Sequence, residues 1–195
     1  KSIPIVAANA YFPVEEGLVQ SLARPGGNTT GLTTDAAEEI GRRLQILREA
    51  VPGISRVGAL YGTGEGYVAL ALSKLEGPAH KLGLIVVPIE LRGHEDVELA
   101  FAEIKRRKID ALIGFGAAAL ANRASVIRLA TQAKLPTIFT DRQYVEDGAL
   151  ISYGVDLADL FRRAAGYVDR ILKGAHPADL PFEQPTRYLL AVNLR

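Results

Sequence analysis

The sequence holds no cysteine, no methionine and no tryptophan. Without cysteine there is no disulfide, no thiolate zinc site and no cysteine nucleophile. No apolar run approaches the roughly 18–20 residues that span a bilayer as a helix, and no signal-peptide pattern stands at the start. One-sided charge is also missing. The 23 basic residues face 22 acidic ones, for a net charge of +1, so no strong field draws the chain to nucleic acid or a membrane. The P-loop pattern and the G-x-S-x-G elbow are absent. His80, His94 and His176 lack the spacing of a zinc helix and read as surface residues. No metal or cofactor is expected. The chain opens on Lys1 and runs at once into an apolar strand, so a processed chain or an excised fragment is expected.

What is present is the composition of a globular protein: 195 residues, 48% hydrophobic and 23% charged, enough for one ordinary domain or two small ones. Ser2–Ala8 reads as a buried strand, Val14–Leu22 as a short helix, and Thr29–Thr34 as a strand. Over Asp35–Val51, Ile40, Leu44, Leu47 and Val51 share one face of a helical period. Strands then alternate with helices. The strands are Arg56–Tyr61, Leu84–Leu91, Ala111–Phe115, Pro136–Thr140, Ala149–Tyr153 and Arg187–Leu194. The helices are Gly66–Leu82, with a weak point at Gly77-Pro78, then Glu95–Lys108, Leu120–Lys134 and Asp156–Lys173, with Gly174 placed as a C-cap. Continuous apolar strands between helices predict an α/β fold with a doubly wound parallel sheet covered on both faces. The pieces at both ends fit that sheet poorly and look like parts of a second unit.

In such a sheet, ligands bind where strands end and the order reverses. That singles out Asn9–Phe12, Gly62–Tyr67 (GTGEGY), Gly114–Ala119 and Thr140–Tyr144. GTGEGY has the strand-to-helix context of a dinucleotide loop, with Glu90 where a ribose-binding acid would stand, but its spacing is off pattern. Asp141-Arg142 can read an amine or a carboxylate, or form a surface salt bridge. Tyr11, Phe12, Tyr67, Phe115, Tyr144 and Tyr153 suit a pocket for a planar small molecule, with core packing as the alternative. Lys105-Arg106-Arg107-Lys108 reads as a solvated helix end.

The phrases SLARPGGNTTG and SYGVDLADLFRRAAGYVDRILKGAHPADLPFEQPT, and the order of segments around them, resemble the ABC-transporter substrate-binding protein family. The likeness is to its tryptophan- and tyrosine-type uptake branch. The resemblance implies a type I periplasmic-binding-protein fold: two doubly wound, flavodoxin-like lobes joined by hinge strands, closing on a ligand and presenting it to a membrane permease. It implies one complete lobe over 36–178, a remnant of the first lobe over 1–35, and a hinge crossing with a returning strand over 179–195, in an N-terminally truncated chain. The ligand contacts it implies are Thr63, Glu65, Phe115, Gly116, Thr140, Asp141 and Tyr153 from the second lobe, and Asn9 and Tyr11 from the first. Three loops depart from the family pattern: Asn9–Pro13 replaces a G-D-P-like turn, Gly62–Gly66 an N-P-x-N-P-like loop, and Gly116–Ala119 a more polar one.

The resulting expectation is a periplasmic or otherwise extracytoplasmic solute-binding protein without enzymatic activity. It would bind an amino acid or similar molecule, an aromatic one included, and work with an ABC permease. Exposed first-lobe pieces would favour self-association. The rival expectations are a Rossmann-type nucleotide enzyme using GTGEGY and a ligand-binding regulatory or sensor domain.

Overall fold

The structure, a computed structural model, describes residues 3–64, 66–93 and 96–194. It divides into two compact units, Lys1–Ala36 with Val155–Tyr188 and Ala37–Gly154 with Leu189–Arg195.

The larger unit is built on a six-stranded sheet in the order β4-β3-β5-β6-β7-β8. These strands are β3 Arg56–Gly62, β4 Ile85–Leu91, β5 Ala111–Gly114, β6 Thr137–Phe139, β7 Ile151–Val155 and β8 Tyr188–Val192. β3 to β7 run parallel. Counted from β3, they follow the flavodoxin-like order, as the doubly wound expectation requires. Central β5 is buried along its length. Edge strand β4 buries only Val87, Ile89 and Leu91, on one face, and the edge position tolerates Pro88, which has no N–H for the ladder. β8 closes the other edge. The Asp156 amide donates to the Arg187 carbonyl and the Asn193 amide to the Leu150 carbonyl, so β8 runs antiparallel to β7.

Helices fill the crossovers: α1 Ala36–Ala50, α2 Gly66–Lys81, α3 Val97–Arg106, α4 Gly116–Ala121, α5 Arg123–Gln132 and α6 Arg142–Glu146. The apolar period expected in α1 is realised, with Ile40, Leu44 and Leu47 buried. Val97 and Ile104 of α3 and Val126, Ile127 and Ala130 of α5 pack with β4 and β5 residues into one core. α2 runs unbroken through Pro78, so Gly77-Pro78 does not interrupt it. Leu120–Lys134 is not one helix: α4 starts earlier, at Gly116, and a separate α5 starts at Arg123 after a break at Asn122. The Asn122 amide side chain bonds the Ala118 carbonyl there.

In the smaller unit, β1 Ile5–Tyr11 pairs in parallel with β2 Thr29–Thr34. The register shifts between Ala7 and Ala10, beside Gly31 at φ +141°, where a Cβ would stand 2.0 Å from the Ala7 carbonyl oxygen. Only glycine fits so close an approach. Val14–Leu22 forms turns rather than the expected helix; Gly17, at φ 72°, takes a conformation that ends a helix. Helix α7, Leu157–Leu172, is capped by the Asp156 carboxylate on the Asp159 amide and ends at Gly174, φ 101°. Its Leu160, Ala164 and Tyr167 pack with Leu32, Val6 and Ala8. α7 therefore packs with β1 and β2 rather than within the 36–178 stretch, and β8 joins the six-stranded sheet. After α7, a 3₁₀ turn at Pro177–Asp179 leads to a segment along β2, where Thr30 Oγ1 donates to the Leu180 carbonyl at 2.7 Å.

Candidate functional site

The chain leaves β3 towards β4 on one side and enters β5 on the other. The carboxyl ends of β3 and β5 therefore form the switch point of the sheet. Leu60 pairs with Gly114, so the loops after these strands emerge side by side. Thr63 is exposed on the first; Glu65 lies outside the described residues. On the second, the Phe115 amide donates to the Leu60 carbonyl at 3.1 Å, and its side chain is buried in the core. Phe115 thus offers backbone rather than an aromatic face. Gly116, at φ +85°, turns the chain into α4.

Further along the same edge, Thr140 is half-buried at the end of β6. The β6–β7 register pairs Phe139 with Ser152, and its next step brings half-buried Tyr153 beside Thr140. The Asp141 carboxylate accepts from the Gln143 amide at 2.8 Å, capping α6, while Arg142 pairs with Glu146 at 3.0 Å. The Asp141-Arg142 couple is thus split between a cap and a separate ion pair. The sheet brings Thr63, Phe115, Gly116, Thr140, Asp141 and Tyr153 to one end. Asn9 and Tyr11 belong to the smaller unit. There the Asn9 Oδ1 accepts from Thr34 Oγ1 at 2.8 Å, and Tyr11 stands opposite Thr34.

Of the six strand-end aromatics, Phe12, Phe115 and Tyr144 are core residues. Tyr144 stacks on Phe139 with ring centroids 4.2 Å apart, and burial pushes its hydroxyl pKa well up. Tyr11, Tyr67 and Tyr153 are half-buried. Glu90, the acid a dinucleotide reading needs, is bound to Arg92 at 3.1 Å on the edge strand. Among the described residues, no group of three or more His, Asp or Glu side chains could hold a metal ion, and no helix is long and apolar enough to cross a membrane. Two grooves lie outside the loop pair that follows β3 and β5. One of about 620 Å³ lies between α6 and β8, and one of about 640 Å³ between α3 and α5.

Sequence reasoning missed Glu39 and Arg43. They form an ion pair of 3.1 Å with both side chains 2% exposed, and Arg43 Nη1 donates to the Gly114 carbonyl at 3.3 Å. Desolvation raises the Glu39 pKa, opposed by the Arg43 charge. Their signal was an acid and a base four apart, each just before a residue of the buried Ile40–Leu44 stripe.

All 195 residues match the sequence profile of the ABC transporter substrate binding protein family. The chain is 30% identical over 182 residues to a tyrosine-binding protein of Clostridioides difficile strain R20291, covering 93% of this chain and 52% of that one. A conserved domain protein from Vibrio cholerae superposes with a TM-score of 0.90 at 29% identity, over 98% of this chain and 64% of that one. A Streptococcus pneumoniae ABC domain in complex with L-Trp superposes at 0.85 with 24% identity, over 97% and 65%; at that identity the likeness concerns the fold. The chain spans about half the length of the curated relative and under two thirds of the two solved structures.

Proposed function

The chain belongs to the ABC transporter substrate binding protein family, and we propose that it supplies the part of such a protein that holds a small molecule at the carboxyl ends of β3 to β7. The observation that carries this reading is the strand order, which sets the loops bearing Thr63 and Phe115–Gly116 side by side at the switch point. The Thr63 and Thr140 hydroxyls would orient polar ligand groups, with half-buried Tyr153 packing against an apolar part. The ligand class is an amino acid or a similar molecule. Aromatic amino acids come first, since one relative is named for tyrosine and one neighbour holds L-Trp. Ligand contacts made only in a closed state would drive closure by their differential free energy.

In this reading the protein is not an enzyme. It acts outside the cytoplasm and delivers its ligand to an ABC permease. It also self-associates through β8, an edge strand with Tyr188, Leu190 and Val192 exposed on one face.

Titration calorimetry against amino acids and small organic acids tests the reading. Heat with at least one amino acid is expected, and Thr63→Ala with Thr140→Val should weaken that binding. Unchanged affinity in both variants would remove the site assignment. A thermal shift with NAD, NADP or ATP and none with any amino acid would favour the nucleotide reading.

A further inference from the structure

Glu39 and Arg43 lie one turn apart on α1, both buried. Taking two charges out of water is costly, and a buried pair is weak evidence for stability. A leucine or methionine in each place would fill the same helix–sheet contact more cheaply. What apolar side chains could not do is hydrogen-bond the sheet, which Arg43 does, while Glu39 packs against it at a second place. Arg43 Nη1 donates to the carbonyl of Gly114, the last residue of β5, directly before Phe115. Glu39 lies against β7: a Cβ on Gly154 would stand 3.2 Å from Glu39 Oε1 and 2.1 Å from the Thr140 carbonyl oxygen. The bare glycine lets the β6 end and the carboxylate come in together. Glu39 Oε2 and Arg43 Nε have no hydrogen-bond partner among the described residues, so the pair brings more polar capacity to this place than the ion pair itself uses.

We propose that Glu39 and Arg43 are positioning residues for ligand binding. Arg43 holds the Gly114 carbonyl and so fixes the direction in which Phe115–Gly116 leaves the sheet. Glu39 holds the Arg43 guanidinium in place and fills the space beside Gly154 and Thr140. Neither side chain touches the ligand. The effect on binding rests on the reading that these loops form the site; the effect on loop order does not.

The test compares the full chain with the Glu39→Leu/Arg43→Met double variant and with Arg43→Lys. Three quantities are measured: the urea midpoint, amide hydrogen exchange at residues 114–121, and calorimetric affinity for L-tyrosine and L-tryptophan. The double variant should keep or raise the midpoint, since a packed apolar pair commonly replaces a buried ion pair without loss. Exchange at Phe115 and Gly116 should nevertheless rise, and affinity for the bound probe should fall, each by about tenfold, the scale of one hydrogen bond to a charged group. If the double variant fails to fold, Arg43→Lys decides. It keeps the charge but cannot grip both Glu39 and Gly114, and should show the same local loss at a smaller size. Parental exchange at 115–116, or a rise spread evenly over β3 to β7 with a lowered midpoint, overturns the proposal. If the parent binds neither probe, the aromatic part of the functional reading falls, and the exchange result still decides on the pair.

Discussion

Several single side chains in this protein carry measurable weight. Asp110 takes the Ser55 amide, the Ser55 hydroxyl and the Arg56 amide, at 2.9, 2.9 and 2.8 Å, and so holds the entry of β3. Desolvation pushes its carboxyl pKa up, but those bonds and the Arg56 charge more than offset it, so the net shift is downward. The stabilisation is therefore fully present above the ordinary carboxylate value and is lost as pH falls through the lowered one. Asp110→Ala should cost about 1–2 kcal/mol at neutral pH, allowing for its partial exposure; the gap between parent and variant urea midpoints seen at pH 7 should narrow as pH falls below the ordinary carboxylate range. Tyr167 has the opposite sign. Desolvation, then its bond to Glu183, push its hydroxyl pKa up to about 12, and the hydroxyl donates to the Pro181 carbonyl at 2.6 Å. Its contribution is complete below the ordinary tyrosine value near 10 and disappears as pH rises through about 12. Tyr167→Phe should lower stability by about 1 kcal/mol at pH 7 and flatten the alkaline limb of the stability profile.

For whole elements, the sequence was most legible where one physical term dominates. The apolar stripe of α1 and the terminal glycine of α7 depend on near neighbours in sequence, and both helices lie within two residues of where the pattern set them. The short pieces were hidden. In α6 the Asp141 cap outweighs any periodicity, and the six residues of α4 and five of α6 are too few to show a stripe. Val14–Leu22 has helical spacing but is overridden by the backbone at Gly17. The Glu39–Arg43 pair was invisible for another reason. Charged side chains four apart on a helix normally face solvent, and only the meeting of three strand ends buries these. A helical glycine gives a direct element-level prediction. A Cβ at Gly166 in α7 would meet nothing within 4 Å. Gly166→Ala should therefore raise stability by about 0.5–1 kcal/mol, as a higher thermal midpoint in calorimetry.

At the scale of the molecule, the open edge of β8 predicts behaviour in solution. Tyr188, Leu190 and Val192 are 41%, 57% and 47% exposed on one face of that strand. Sedimentation velocity should show association that grows with protein concentration, and Leu190→Lys should return the chain towards the monomer, since a charge on an edge strand opposes pairing with a second copy. Association unchanged in that variant would mean that β8 is not the contact. The route of the chain has a consequence in time as well. The smaller unit takes its parts from Lys1–Ala36 and Val155–Tyr188, and the larger one is closed by Leu189–Arg195. On a ribosome adding roughly 5–20 residues per second, β1 and β2 wait on the order of ten seconds for α7. Until then, the faces of Val6, Ala8 and Leu32 lack the cover that α7 gives them. The nascent chain thus passes through an interval in which that β-structure is without its helix, and the rate of synthesis and the holdase chaperones that meet it there become part of what decides its yield.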